Sequence, residues 1–345
     1  SLADRPAYIE RNHDGSWSPT SWKDYAGEVQ AAAKSLIALG VEPGHSVNIL
    51  GFNTPAWVIT DVAAMAVGGV PAGIYATNSP SECKYILNHS EAPVILLENE
   101  AQWEKIAAVR DELPHLRHAI MMPGSESIDD PLAMSWDEFI AKGADVDDAA
   151  VQARLDALEP DQLATLIYTS GTTGPPKGVM LSHDNLAWTA SQGVSAFGMD
   201  ESEKGLSYLP LSHIAEQMFT IHIPTTLGSA VAYAESIDAL ADNIKEIRPT
   251  YFAGVPRVWE KFYAGVQGEL AHAEGAKAKI AQWAMGVGRK ANAARMKGET
   301  PSPVTAAQEK IAAALVLSKV RGALGFDRAH VYLTAAAPIS PEIQE

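Results

Sequence analysis

The chain of 345 residues is 47% hydrophobic and 20% charged, a balance that excludes a disordered polypeptide and allows one large core or two coupled ones. Lys and Arg number 26 against 42 Asp and Glu, and the resulting −16 leaves no general attraction for nucleic-acid phosphates, so DNA and RNA are not expected partners. Cys83 is the single cysteine, which excludes an internal disulfide and fits a reducing, cytoplasmic compartment, the thiol reading as a small buried hydrophobe.

From Ser21 onward, Trp22, Tyr25, Val29, Ala33, Leu36 and Ile37 recur at helical spacing as far as Gly40, a suitable residue just past a helix end. A strand is predicted at 46–50, a helix near 55–67, a strand at 70–75, a helix near 80–88, a strand at 94–97 and a helix near 101–112. The most apolar stretch, 57–75, is interrupted by Asp61, Gly68, Gly69, Pro71 and Gly73, so it reads as a core helix turning into a buried strand, not a membrane span. This rhythm predicts an α/β fold with mainly parallel β-sheets flanked by helices.

A polar patch at 123–130 and an acidic stretch around Asp145 to Asp148 precede the next strand, at 163–169, and a soft boundary is expected near Glu159-Pro160. The expected division is a first α/β subdomain, 1–159, and a second, 160–345, with strands at 206–209, 230–233, 251–253 and 331–334. From about 256 to 325 the rhythm gives way to an Ala-rich helical insertion with an excess of Lys and Arg, broken near Pro301 and Pro303. Two readings of that insertion stay open, a solvated helix face and a peripheral contact with an anionic membrane surface. No signal-type apolar segment opens the chain, and Ser340-Pro341-Glu342 at its end has the cap, the N1 proline and the first-turn acid of a helix start, from which a continuing polypeptide is expected.

The strongest chemical signal is Tyr168-Thr169-Ser170-Gly171-Thr172-Thr173-Gly174-Pro175-Pro176-Lys177-Gly178, directly after the apolar run 163–168. Glycines let backbone approach an anion closely, Ser and Thr hydroxyls donate to phosphate oxygens, and Lys177 adds compact positive charge. Those types together predict a polyphosphate cradle. It is not a Walker loop, because Pro176 precedes Lys177 and Gly178 follows it. The run 178–181 reads as a second strand, so the loop joins two strands.

This undecapeptide resembles the signature phosphate-binding motif of the adenylate-forming superfamily, which includes acyl-CoA synthetases, luciferases and the adenylation domains of peptide synthetases. The resemblance implies the N-terminal domain of that fold, with the loop holding the ATP β- and γ-phosphates and Thr169 helping to place Mg²⁺. Tyr208-Leu209-Pro210-Leu211-Ser212-His213-Ile214-Ala215-Glu216 is similar to the family's second core motif, which implies that His213 lies beside the substrate carboxylate and orients it. Some fatty-acid-activating members carry an aromatic gate to the acyl tunnel at the position of Gln217, so the glutamine does not imply such a gate here. The turn Ala335, Ala336, Ala337, Pro338 after strand 331–334 resembles the adenine-pocket segment. Val255, Pro256 and the following Arg257-Val258-Trp259-Glu260-Lys261-Phe262 resemble long-chain fatty acyl-CoA synthetases; Gly51-Phe52-Asn53-Thr54-Pro55-Ala56-Trp57 and Gly73-Ile74-Tyr75 point to the bubblegum-type subgroup.

The implied reaction is attack of a fatty-acid carboxylate on the ATP α-phosphorus, giving acyl-adenylate and pyrophosphate, followed by thioester formation with coenzyme A. The family's Tyr-Gly-x-Thr-Glu segment, its ribose-binding Asp and its mobile C-terminal lysine do not occur in this chain, so these residues alone are expected to be inactive. Two alternatives stay open: a non-catalytic nucleotide- or acyl-binding module, and adenylation of a different carboxylic acid. Ser182-His183-Asp184 is not a hydrolytic triad, since adjacent residues cannot converge, and Ser182 reads as a helix cap. No spacing of His, Cys and carboxylates suggests zinc.

Overall fold

Short apolar strands alternating with well-capped helices build the first layer of the structure, a computed structural model that describes residues 1–169, 174–272, 274–340 and 343. Two compact units emerge, one formed by Ser1–Ser202 with Ser207–Ala234, the other by Glu203–Leu206 with Glu235–Glu345.

The first unit begins with β1 (Pro6–Arg11), β2 (Trp17–Ser21) and α1 (Trp22–Ala38). It continues through β3 (Ser46–Leu50), α2 (Pro55–Ala66), β4 (Val70–Ile74), α3 (Pro80–His89), β5 (Val94–Leu97) and α4 (Glu100–Ala107). Next come β6 (His118–Met121), β7 (Ala133–Met134), α5 (Trp136–Lys142), α6 (Asp148–Asp156), β8 (Leu163–Thr169), β9 (Lys177–Ser182) and α7 (His183–Phe197). Beyond β10 (Lys204–Ser207) lie the short helices α8 (Ile214–Gln217) and α9 (Ile223–Leu227), then β11 (Ala230–Tyr233).

The main sheet has the order β7-β6-β5-β3-β4-β8-β9, and all its pairings are parallel except β8 with β9. Strands buried on both faces explain the continuous apolar runs: Val94 and Leu96 enter the core shared with α1 and α2, while Ile95 and Leu97 enter the core shared with α3 and α4. Trp57, fully buried, anchors the first of these layers. Helix starts are fixed locally. Ser21 caps α1 through the Asp24 amide, Thr54 caps α2 through the Trp57 amide, and Ser79 with Glu82 forms a reciprocal capping box on α3, each cap contributing about 1 kcal/mol. A smaller sheet places β1 between β11, parallel, and β2, antiparallel.

The second unit contains α10 (Leu240–Ile247), β12 (Tyr251–Gly254), α11 (Pro256–Ala271), α12 (Gly275–Met296), α13 (Pro303–Ala312), α14 (Ser318–Leu324) and β13 (Val331–Thr334). Strands β12 and β13 pair in parallel from Tyr251↔Val331 to Gly254↔Thr334. Phe252, Trp259, Phe262, Phe326 and Tyr332 form an edge-and-tilt aromatic cluster around them, with the Trp259 indole N–H donating to the Gly254 and Leu333 carbonyls.

The expected α/β class with mainly parallel sheets is borne out, and several elements differ in detail. The helix expected at 101–112 ends at Ala107 and resumes only as a 3₁₀ turn, Arg110–Glu112, because the backbone leaves the helical region at Val109 (φ −126°, ψ 8°). The strand expected at 206–209 lies at Lys204–Ser207, the Leu209 carbonyl being taken by the Asn53 side chain. β1, β2, β6 and β7 are additional strands: β1 and β2 are half-exposed segments of mixed polarity, β7 is a two-residue edge, and β6 is a short buried strand between β5 and β7. β8, which follows Glu159-Pro160, hydrogen-bonds to β4 in the main sheet. The helical insertion is broken between α11 and α12 as well as at the prolines. The helix start at Pro341 and Glu342 lies outside the described residues. Among the described residues no helix is long and apolar enough to cross a membrane.

Candidate functional site

The predicted strand-loop-strand around the phosphate motif is an antiparallel hairpin of β8 and β9 in which Thr169 and Lys177 are cross-strand partners. Ser170, Gly171, Thr172 and Thr173 lie outside the described residues; Thr169, Gly174 and Lys177 flank them and are exposed. The Thr169 hydroxyl donates to the Lys177 carbonyl at 3.5 Å, which ties the two mouths of the loop together. Gly174 has φ +110°, a backbone conformation open to glycine and strained for any L side chain. Pro175 and Pro176 supply no amide hydrogens, and among the described residues of this segment Lys177 carries an exposed ammonium while the Thr169 oxygen keeps its lone pairs.

The base of the hairpin is packed. Tyr168, buried beside Gly178, shares a 2.9 Å hydrogen bond with His89 Nδ1, and burial pushes its phenol up to about 12. β8 thus ends at Thr169, exposed, at the C-terminal edge of parallel strands, where open α/β sheets place their ligands.

His213 lies on the same edge. The segment after β3 supplies Asn53, whose amide donates to the Leu209 carbonyl at 2.7 Å and to Ser207 Oγ at 2.8 Å, while its carbonyl oxygen accepts from the Leu211 amide at 3.3 Å. The end of β4 supplies Gly73, where an added Cβ would fall 2.6 Å from Ser212 Cα. These contacts press the turn 209–213 onto the sheet edge and leave the His213 ring exposed. His213 Nδ1 accepts the Ala215 amide hydrogen at 3.1 Å, so in the neutral ring the remaining proton sits on Nε2 and is available as a donor.

Beneath this turn is a buried polar knot. Glu216, 3% exposed, accepts from Ser207 Oγ at 2.8 Å, the Tyr208 amide at 3.0 Å and Thr220 Oγ1 at 3.0 Å. Burial pushes its carboxyl up to about 7, partly offset by those hydroxyl and amide donors. Gln217 is buried too, with Nε2 donating to the Leu211 carbonyl at 2.9 Å and no partner for Oε1 among the described residues.

In the second unit, Val255 and Pro256 leave β12, and Ala335 to Pro338 leave β13, at the same end of two paired parallel strands, since Gly254 and Thr334 are opposite each other. Pro256 is buried as the N1 residue of α11, whereas Ala335, Ala336, Ala337 and Pro338 are exposed. Ala336 has φ +73°, a left-handed conformation that costs an alanine on the order of 1 kcal/mol and sharpens the turn.

Asn53, Gly73 and Glu216 are the positioning residues that sequence reasoning left without a role. Each sits inside a motif quoted for its resemblance, but only tertiary contact shows that all three converge on one turn. A cleft of about 640 Å³ elsewhere in the first unit, lined by Tyr8, Glu28, Ile59, Trp136 and Ile140 among others, contains none of the candidate residues. Among the described residues no three His, Cys, Asp or Glu side chains are grouped to hold a metal. Cys83 is buried, with its thiol pushed up to about 11 by burial, and is chemically quiet.

Comparison with known proteins places these features in a family. The model of the AMP-binding enzyme family matches residues 1–345, and the chain belongs to that family. The long-chain-fatty-acid–CoA ligase ACSBG2 of Xenopus laevis is 43% identical over 337 residues, which are 95% of this chain and 45% of that protein. ACSBG2 of Homo sapiens is 39% identical over 99% of this chain and 51% of its own length, and human ACSBG1 is 38% identical over 95% and 46%. The chain thus spans about half the length of the curated relatives it matches, and the resemblance to long-chain fatty acyl-CoA synthetases of the bubblegum type is borne out. Among solved structures, the adenylation domain of a carboxylate reductase from Mycobacterium chelonae aligns with TM-score 0.73 and 21% identity over 99% of this chain and 53% of that one. The A-PCP didomain of the Segniliparus rugosus carboxylic acid reductase, in complex with AMP, aligns with TM-score 0.71 and 20% identity over 99% and 48%. At these identities the likeness shows the fold.

Proposed function

We propose that this member of the AMP-binding enzyme family is the N-terminal part of an ATP-dependent, AMP-forming ligase that activates a long-chain fatty acid to acyl-adenylate and passes it to coenzyme A. The observation that carries the reading is the hairpin mouth. Thr169 and Lys177 are paired across two strands, exposed, and held at the C-terminal edge of a parallel sheet, with the His213 turn clamped to that same edge.

Each group has a defined task. Lys177 places a compact positive charge at the departing pyrophosphate, and the Thr169 oxygen, its hydrogen turned to the Lys177 carbonyl, offers a cation ligand there. The Nε2 hydrogen of His213 holds one carboxylate oxygen, leaving the other free for in-line attack on the α-phosphorus. Asn53 and Glu216 keep that imidazole where the sheet edge places it. Mg²⁺ fits this site only as a nucleotide-held ion, because Thr169 contributes a single hard oxygen and no carboxylate cluster stands near it among the described residues. When bound, the ion neutralises phosphate charge. The exposed turn Ala335, Ala336, Ala337, Pro338 offers backbone to an adenine ring, and Val255 with Pro256 offers apolar contact to the acyl chain. Reaction in the cytoplasm fits the lone buried thiol.

The test is Lys177→Ala in the full-length polypeptide, read by fatty-acid-dependent exchange of pyrophosphate into ATP. Exchange is expected to fall by about 10²-fold or more, while fatty-acid affinity changes by less than about threefold. Equal losses in both would show that the lysine does not act at the phosphates. Exchange driven by aromatic or amino acids but not by fatty acids would overturn the substrate class.

A further inference from the structure

Charge is distributed unevenly along this acidic chain. Nine Lys or Arg face two Asp or Glu between residues 275 and 325, within a polypeptide whose net charge is −16. That stretch is the hairpin of α12 with α13 and α14. Its inner side is closed: Ala284, Val287 and Ala312 are buried together with Val316 and Leu317 packed against them, and Arg295 grips Glu309 with two hydrogen bonds of 2.8 and 2.7 Å. Its outer side is not. Trp283, Val304, Ile311 and Leu315 are 38, 68, 54 and 48% exposed, far more than large apolar side chains inside a core.

The two helices run antiparallel, since Arg295 near the end of α12 meets Glu309 in α13, while Gly288 lies against Leu317 further along the second arm. Trp283 immediately precedes the buried Ala284, and Ile311 immediately precedes the buried Ala312. Each is therefore turned about 100° from the facing side in the same rotational sense. Equal rotation on antiparallel partners brings both to one outer side. Val304 and Leu315 join Ile311 at spacings of seven and four residues, and Lys279, Lys290 and Lys297 share the Trp283 stripe at spacings of four and seven, all three exposed.

We propose that this side of the α12–α14 hairpin docks on the surface of an anionic lipid bilayer. Trp283, Val304, Ile311 and Leu315 enter the headgroup region, and the flanking lysines lie along the phosphates with their methylene stems against the acyl boundary. Single apolar side chains separated by alanines and bracketed by lysines suit a fluid charged interface better than the contiguous apolar centre of a protein interface. A long-chain fatty acid partitions into such a bilayer, so docking there brings the surface to the substrate. The proposal itself stands on the hairpin and not on the ligase reading. Vesicle binding and adenylate formation are measured separately and can fail separately.

The experiment is co-sedimentation of the chain with phosphatidylcholine vesicles, with and without phosphatidylserine. Two double variants accompany it, Ile311→Glu with Leu315→Glu, and Lys279→Glu with Lys290→Glu. All four positions are exposed, and circular dichroism with thermal melting checks that the variants remain folded. Wild type is expected to bind phosphatidylserine vesicles about 10-fold or more tighter than pure phosphatidylcholine, and each double variant to lose about 10-fold of that binding. Brominated lipid should quench wild-type fluorescence and quench Trp283→Phe less. Failure to bind phosphatidylserine vesicles at about 0.1 M salt would overturn the proposal, as would binding that survives both double variants. So would a change in the sedimentation of the chain alone on substituting this face, which would identify it as a contact between copies.

Discussion

Asp61 offers a direct thermodynamic test of the core. It lies on α2, four residues after Trp57, is 1% exposed, and neither carboxyl oxygen has a hydrogen-bond partner among the described residues. Burial alone pushes its pKa from 3.8 up to about 8. The folded chain therefore keeps a proton that the unfolded chain has already released. The associated stability is complete below about pH 4, is lost progressively as pH rises, and levels off above about pH 8. A displacement of that size corresponds to on the order of 5 kcal/mol, reduced by whatever relaxation and water entry the site permits. Asp61→Asn preserves shape and cannot ionise. The unfolding free energy of the Asp61→Asn variant minus that of wild type should rise by about 2–5 kcal/mol between roughly pH 4.5 and 8.5. Guanidinium unfolding followed by tryptophan fluorescence measures this, and taking the difference cancels the many carboxylates common to both proteins. An equal difference at the two pH values would refute the reasoning.

Further outcomes follow from the scaffold of the His213 turn and from the second unit. Gly73→Ala places a methyl 2.6 Å from Ser212 Cα and 3.1 Å from Trp57 Cζ2, so it should lower stability by about 1–3 kcal/mol and, in the full-length polypeptide, slow adenylate formation by displacing the residue before His213. An unchanged melting temperature would count against it. Asn53→Ala strands the Leu209 carbonyl and the Leu211 amide and should cost about 2–4 kcal/mol in chemical denaturation; a loss under about 0.5 kcal/mol would mean that the clamp is not formed in solution. Trp259→Phe keeps an aromatic ring against Phe252 and Phe326 but removes the N–H shared by the Gly254 and Leu333 carbonyls. Hydrogen exchange across β12 and β13 should speed by about 10-fold, and no change would show that ring packing alone holds the pair.

Elements that carry their own signals were readable from the chain alone. The strands 46–50, 94–97, 163–169, 230–233 and 331–334 coincide with β3, β5, β8, β11 and β13, because continuous apolar runs between turn residues admit few other structures. The helices expected from Ser21, near 55 and near 80 match the starts of α1, α2 and α3, which local side-chain caps fix. β1 and β2 were not, since their hydrogen-bond partners include β11, more than two hundred residues away, and their side chains are half exposed.

The candidate site divides along the same line. Glycines, hydroxyls and Lys177 concentrated after an apolar strand predict an anion loop from composition and order alone, because backbone freedom and donor chemistry are properties of residues. That Asn53, Gly73 and Glu216 hold the His213 turn is a property of distance. Asn53 and Glu216 are separated by 163 positions and meet only when the sheet is assembled. Glu216 reads as an ordinary surface acid in one dimension, and folding makes it a buried acceptor with three close donors. Local chemistry named the loop and the imidazole; the long-range pairing of β3, β4 and β8 decided that they share one edge, because parallel strands acquire a common end only through contacts that no short window of residues contains.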